Sequence, residues 1–359
     1  MSPSNSFPDR KGTHVSRDAS PVVLPMRPRS LVLHADDFGM SPEVNRGIVD
    51  GFQNGLLTST SVLANAPAVT MALAQWNELD LRRRHRVLAS DALRRSLRDP
   101  WLPFDLGAHL NLTQGRPLTA GYPTELLDSE GRFPGVFRLF FRSMLPVRRS
   151  LVAAVEAELE SQIELLLDHG APLGHLNGHQ YIECLPLVSR IVPHLAERYT
   201  LRAVRVANEP GLTGTLLREG RPLGCVLALI KRLFAIRWRG QARRNQLATP
   251  DCYFGTAHAG EVSLDVLCGY LREATGEFVE VGLHPGRGVS GIQIANPDGL
   301  ASNSSIVDGW TDPLASGRPR ELAMLASPEL AIAIVRAGFQ LGRLSQLRET
   351  VAARQREAA

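Results

Sequence analysis

Short apolar runs alternate with amphipathic segments along most of this chain, which is the pattern of strands alternating with helices. The apolar run at residues 30–35 predicts a buried parallel strand. Ser41 and Pro42 then predict the N-cap and the first residue of a helix that continues to about Phe52, where Gly55 can end it. The first folding unit is therefore a strand, a loop and a helix.

This unit recurs towards the C-terminus. Further strands are predicted at residues 58–63, 105–110, 173–176, 203–206 and 277–283. Helices are predicted at residues 67–76, 150–169, 186–199 and 264–274, and two short ones around Glu321 and Glu329. Such alternation implies a parallel sheet covered by helices, either a barrel or a doubly wound sheet. We favour an α/β fold that forms an irregular (β/α) barrel.

The two ends of the chain differ in composition from the rest. Residues 1–29 are rich in Ser, Pro and Arg and lack the apolar core of a signal peptide, so we predict a disordered tail there. One domain is predicted at residues 30–345, with an insertion at 211–248, and a C-terminal tail at 346–359. No uncharged apolar run reaches the length of about 18 residues that a membrane span needs.

Composition narrows the class of protein further. With 44% hydrophobic and 21% charged residues, the chain is typical of a globular protein. A net charge of +4 over 359 residues is too small to argue for a nucleic-acid partner. The four cysteines are Cys184, Cys225, Cys252 and Cys268. They lie far apart and form no Cys-x-x-Cys pair, which indicates reduced core thiols in a cytoplasmic protein. A homo-oligomer is left open.

Polar residues that can bind a metal lie at the ends of four predicted strands. In parallel α/β folds the chemistry gathers at these carboxyl ends, which makes their joint placement informative. Taken singly, an Asp pair more often caps a loop, and a lone histidine is more often a structural core residue. The candidates are Asp36, Asp37, His109, His175, His179 and His284.

The spacing of His175 and His179 would place both on one face of a helix, as in zinc proteases. Pro172, Gly174 and Gly178 disfavour a helix here, so a turn is predicted. The two histidines therefore need not bind the same ion.

The chain resembles the YdjC-like carbohydrate deacetylases, a family that includes bacterial chitooligosaccharide deacetylases and hopanoid-associated relatives. The matching segments occur in the family's order and together extend over residues 30–345. They are residues 34–41 (HADDFGMS) with Asn45, 58–61 with Asn65, 107–113, 175–180 with Pro186, and 284–286, and more weakly 253–255 and 320–322.

The resemblance implies an irregular barrel like that of polysaccharide deacetylases, and an enzyme that hydrolyses an N-acyl group, most often acetyl, on an amino sugar, oligosaccharide or glycolipid. It implies one divalent metal ion bound by Asp37, His109 and His179, with Asp36 as general base. His284 would be a general acid or polarise the substrate. Substrate-binding or supporting positions would be His175, Asn45, Asn65, Asn177 and Tyr181.

Two departures from the family pattern bear on this site. Tyr181 and Glu183 stand where many relatives have further histidines, and Asn177 stands where the chitooligosaccharide enzymes have Asp. The support of His179 by its neighbours is therefore in question. Two imidazoles favour Zn, Mn, Co, Ni or Fe, whereas family members are commonly assigned Mg, which prefers oxygen ligands.

Two other functions compete with the deacetylase hypothesis. A non-haem iron oxygenase would use His34, Asp36 and a later histidine, but the alternation of strands and helices disfavours its usual jelly roll. A metal-binding or sugar-binding pseudoenzyme is the other alternative, because Tyr181 and Glu183 alter the family pattern.

The segment 228–244 mixes apolar residues with six Lys and Arg residues. A solvated helix face is the favoured interpretation. The alternative is a basic amphipathic helix on the surface of an anionic inner membrane, which would suit a lipid-linked or glycolipid substrate.

Overall fold

The computed structural model describes residues 29–79, 91–97, 104–211, 222–288 and 309–349. Several of the predicted segments therefore lie wholly or partly outside the described residues. These are the N-terminal tail up to residue 28, part of the insertion at 212–221, and the C-terminal tail from residue 350 onwards.

Eight β-strands and ten α-helices are formed within the described residues. The strands are β1 (Arg29–Phe38), β2 (Ser59–Val62), β3 (Asp105–Leu110), β4 (Leu173–Gly178), β5 (Ala203–Val204), β6 (Cys252–Phe254), β7 (Phe278–Leu283) and β8 (Phe339–Leu341). The helices are α1 (Pro42–Gln53), α2 (Val69–Asn77), α3 (Asp91–Ser96), α4 (Val136–Met144), α5 (Arg149–Asp168), α6 (Val188–Arg198), α7 (Pro222–Arg244), α8 (Leu264–Glu273), α9 (Arg318–Leu325) and α10 (Pro328–Arg336).

The strands form one parallel sheet in the order β5-β4-β3-β2-β1-β7-β6. β8 pairs with the first three residues of β1, on the edge of that strand opposite β7. Ala248, just before β6, makes a single parallel bridge to Ala203 of β5, so the two ends of the sheet approach each other. The sheet is a half-barrel flanked by helices, and the predicted irregular (β/α) barrel is confirmed.

The two faces of the sheet differ in polarity because side chains alternate along each strand. On β3, Leu106, Ala108 and Leu110 belong to the hydrophobic core, as do the alternate apolar residues of β7. Asp105 and His109 of β3 instead make polar contacts with residues of other strands. The interior of the half-barrel is therefore a polar network, surrounded by an apolar layer against the helices.

Short elements account for most differences from the predicted pattern. β6 and β8 have three residues each, too few for a periodic signal. The strand predicted at 203–206 is paired only at Ala203–Val204. In the predicted C-terminal tail, Leu347 is buried in a small cluster that includes Val32, so the part of that tail closest to the domain packs against it.

Candidate metal centre and buried polar network

The end of β1 presents two adjacent carboxylates at one end of the half-barrel. Asp37 has a left-handed backbone with a φ of 71°, and the pairing of β1 with β2 is irregular just before Phe38. Asn45 braces this bend, because its side chain accepts from the Gly39 N–H (2.7 Å) and donates to the Ala68 carbonyl (2.9 Å). The bend breaks the usual alternation, so neighbouring side chains reach one site.

Asp37, His109 and His179 form a buried cluster whose ligand atoms all lie within 4.8 Å of one another. Asp37 Oδ1 is 3.1 Å from His179 Nδ1 and 3.6 Å from His109 Nε2. His109 Nδ1 lies 3.0 Å from Asn177 Oδ1, which can only accept, so the proton is on Nδ1 and Nε2 is free to bind a metal. One carboxylate and two imidazoles fit a divalent ion with open coordination positions.

Arg318 keeps Asp37 ionised. Its Nη2 donates to Asp37 Oδ2 at 2.8 Å, and the guanidinium is also paired with Asp312. Burial alone would raise the pKa of Asp37, but the charge of Arg318 and the contacts with the two histidines hold it well below its usual range. The carboxylate therefore needs no deprotonation before it binds a cation.

Asp36 has a different set of partners. Arg205 Nη1 donates to Asp36 Oδ2 at 2.6 Å, and Asn177 Nδ2 donates to Asp36 Oδ1 at 3.1 Å. Burial opposes ionisation, but the charge of Arg205 above all holds the pKa of Asp36 well below its usual range. His284 Nε2 lies 3.9 Å from Asp36 Oδ2, with its side chain 10% exposed. The Asn177 amide thus joins Asp36 to His109.

A chain of buried polar groups extends from this site into the half-barrel. Arg205 also donates to Glu280 (2.8 Å) and lies 2.8 Å from His34 Nδ1. His34 Nδ1 also lies 3.1 Å from Asp36 Oδ1, and His34 Nε2 lies 2.9 Å from His175 Nε2. Burial and the charge of Arg205 lower the pKa of His34 to about 3. His175 Nδ1 in turn lies 3.0 Å from Asp105.

His175 and His179 occupy different places in the structure. The residues between them belong to β4, and a left-handed turn follows only at Gln180 and Tyr181, with φ values of 54° and 62°. The predicted turn therefore begins later than expected. His175 lies inside the half-barrel, and a Cβ at Gly107 would be 2.2 Å from its Nε2, so the ring requires a glycine there. His179 follows the strand and joins the cluster with Asp37 and His109.

The other predicted site residues lie around this centre. Asn65 donates to the carbonyls of Gln114 and Arg116 and accepts from Asn111, so it braces the loop after β3. The half-buried Tyr181 places its hydroxyl 3.2 Å from that of Tyr253. Asn177 contacts His109 and Asp36, and no hydrogen bond between Asn177 and His179 is formed among the residues described.

Sequence reasoning missed Arg205 and Arg318, the two buried arginines that pair with the carboxylates. A signal for Arg205 was present, since it is a charged residue directly after the apolar strand β5. Arg318 lies just before the weak motif at residues 320–322, but nothing local connects it with Asp37.

Glu183 is a further buried ionisable group beside the site. It is 2% exposed, and neither carboxyl oxygen has a hydrogen-bond partner among the described residues. Burial raises the pKa of Glu183 to about 8, against the opposing charge of Arg205. The folded protein therefore holds this carboxyl protonated at neutral pH, whereas the unfolded chain ionises it.

Glu183→Gln should flatten the stability profile between about pH 4.5 and 8. The pKa of Glu183 is about 8 when folded and 4.5 in its ordinary state. Its contribution to stability is fully present below pH 4.5 and is lost progressively as the pH rises from there through 8, by on the order of 5 kcal/mol in total. Urea unfolding of both proteins in EDTA from pH 5 to 9 measures this loss. The exposed Glu273→Gln is the matched control, and parallel curves for wild type and Glu183→Gln would contradict the prediction.

A parallel α/β half-barrel with an aspartate and two histidines clustered at its strand ends defines an α/β-barrel protein with a candidate metal centre. Residues 30–336 match the model of the family described as YdjC-like protein. The chain belongs to this family, as its sequence motifs predicted.

Curated relatives carry a common name. A carbohydrate deacetylase of Geobacillus stearothermophilus is 29% identical over 317 residues, which cover 88% of this chain and 96% of that protein. A carbohydrate deacetylase of Listeria monocytogenes is 34% identical over 169 residues. The match with the Listeria protein covers 47% of this chain, and the chain spans 58% of the length of that relative.

One solved structure has the same fold. It is a putative cellobiose-phosphate cleavage protein of Enterococcus faecalis, with a TM-score of 0.60. The match covers 89% of this chain and 99% of that protein. Because the sequences are 20% identical, this likeness concerns the fold alone.

Proposed function

We propose that this protein hydrolyses the N-acyl group, in the first place acetyl, of an amino sugar in a small molecule, oligosaccharide or glycolipid. The observation that carries this proposal is that two adjacent carboxylates have different partners. Asp37 lies against His109 and His179, whereas Asp36 is held by Arg205 and faces His284. The names of the Geobacillus and Listeria relatives support a sugar amide as the substrate.

Asp37, His109 and His179 would hold one divalent ion. When bound, the ion supplies Lewis-acid polarisation of the amide carbonyl and lowers the pKa of water. Two imidazoles favour a zinc-type transition metal, and Mg is the alternative that the family resemblance implies. Arg318 donates a hydrogen bond to Oδ2 of Asp37, so that Oδ1 is the oxygen that faces the histidines.

Asp36 would take the proton of the attacking water. Its two hydrogen bonds, from Arg205 and Asn177, fix the carboxylate plane in the ionised state that a base requires. Because the charge of Arg205 lowers the pKa of Asp36, this carboxylate is a weak base. The attacking water therefore has to be polarised before Asp36 can take its proton. His284 lies within 3.9 Å of Asp36 and would give a proton to the departing amine nitrogen.

The contacts of Arg205 argue against the oxygenase hypothesis. His34 Nδ1 lies 3.1 Å from Asp36 Oδ1, but the guanidinium of Arg205 lies against both side chains, at 2.8 Å and 2.6 Å, where an iron ion would have to bind. His34 lies outside the cluster of Asp37, His109 and His179.

Acetate release tests the proposed function directly. The metal-loaded protein should liberate acetate from at least one member of a panel of N-acetylated monosaccharides, chitooligosaccharides and lipid-linked amino sugars, and prior treatment with a chelator should abolish the release. Tight sugar binding without acetate release from any member would establish the pseudoenzyme instead. Full activity in protein shown to be metal-free by elemental analysis would exclude the metal-dependent mechanism.

A further inference from the structure

Large apolar side chains are exposed mainly on two helices. Of the eleven exposed large hydrophobic residues among those described, eight belong to α4, its C-cap residue, and α7. Phe137 and Phe141 are each 66% exposed and Leu233 is 61% exposed. We call this region the α4–α7 surface: Phe137, Phe141, Met144, Leu145, Val226, Leu229, Leu233 and Ile236.

The apolar residues form one continuous surface. In α7 they recur at intervals of three and four residues, from Val226 to Ile236, and therefore share one side of the helix. The two helices touch where the rings of Phe140 and Phe234 meet edge to face at 5.5 Å. A groove of about 360 Å³ between them is lined by both elements, with Met144 on one side and Arg237 on the other.

Positive charge is concentrated on the same two segments. Residues 136–149 and 222–244 contain ten Lys and Arg residues and no Asp or Glu. The whole chain has a net charge of only +4, so the rest of the molecule is negative. Arg232 and Arg237 are exposed beside the apolar residues of α7. Glu125 pairs with Arg142 and Arg148, but the two segments themselves carry only cations. An exposed apolar surface on such basic segments matches an anionic partner.

A second copy of the chain fits this surface poorly. A twofold interface brings the same patch of both subunits together, and here it would oppose basic residues to basic residues. An anionic bilayer complements both features, because apolar tips enter the acyl boundary while arginines contact lipid phosphates. No helix in the described part of the chain has the length and hydrophobicity to cross a bilayer.

We propose that the α4–α7 surface binds the protein to an anionic lipid bilayer. The opposite side of α7 contacts the candidate site: Lys231 lies over the ring of Tyr181, at 5.0 Å from its centre, and Trp238 donates to the carbonyl of Arg205. Membrane binding is independent of the proposed deacetylation, and either can fail without the other.

Vesicle co-sedimentation of the full-length protein tests this proposal. The probes are phosphatidylcholine vesicles with and without about one third phosphatidylglycerol. Wild type should bind the anionic vesicles at least about tenfold more tightly, and binding should weaken as salt is raised. The double variant Phe141→Glu/Leu233→Glu should lose at least about tenfold of that affinity, because each substitution removes an inserting side chain and adds a repelled charge.

The matched control is Leu167→Glu/Ile332→Glu, which changes two residues that are 40% and 38% exposed on α5 and α10, outside the α4–α7 surface. It should bind like wild type, and all three proteins should share one melting temperature. Equal binding of wild type to both kinds of vesicle, or undiminished binding by the α4–α7 variant, would overturn the proposal. The proposal would also be overturned if wild type were a dimer that does not bind vesicles and the α4–α7 variant were a monomer. A second copy of the chain would then cover this surface.

Discussion

Replacing Asp37 by Asn should deprive the protein of its divalent metal, whereas replacing Asp36 by Asn should leave the metal bound and remove most of the turnover. Asp37 Oδ1 lies between the two histidines, so an amide there removes the anionic ligand of the cluster. We expect the metal affinity to fall by more than about 100-fold, which exceeds the usual effect of a supporting residue. Arg318 remains paired with Asp312, so the fold should persist.

Asp36→Asn removes the proposed proton acceptor and leaves Asp37, His109 and His179 in place. We expect kcat to fall by about 10² to 10⁴, the usual contribution of a general base. Titration calorimetry with Zn²⁺ and Mn²⁺ and acetate-release kinetics on both variants separate the two roles. Equal loss of metal in both variants would show that the roles of the two carboxylates are misassigned.

His179→Ala and His175→Ala should have opposite effects on metal content and stability. His179 follows β4 at the rim and contacts Asp37, so its removal should leave the protein nearly metal-free and inactive, with the metal-free fold little changed. His175 is fully buried between His34 and Asp105. Its removal opens a cavity and takes a partner from each neighbour, at a cost of about 2 to 5 kcal/mol in unfolding free energy.

His175→Ala should nevertheless retain metal and measurable activity, because an indirect support typically contributes about 10- to 100-fold. Elemental analysis of the purified variants gives the metal content, and urea unfolding in EDTA gives the stability of each metal-free fold. If both variants lost metal equally, both histidines would bind the ion. If His175→Ala were as stable as wild type, the interior network would not support the fold.

Most of the large elements were predictable from the sequence. The strand at residues 105–110 and the helix at 150–169 match β3 and α5 to within one residue, because a long periodic pattern is a local property of the chain. The helix α4 was not predicted. It has a polar side formed by Arg138 and Arg142, but its nine residues make fewer than three turns, which is too short for a clear periodic signal.

The sequence by itself determined the alternation of strands and helices, and the residue types that gather at the strand ends. Both follow from local periodicity and from the geometry of parallel sheets. Only the tertiary structure decided which partner each polar side chain has. Arg205 is 169 residues from Asp36, and Arg318 is 281 residues from Asp37. Charges this far apart in sequence meet only once the sheet has curved, and their meeting gives the two adjacent carboxylates different surroundings.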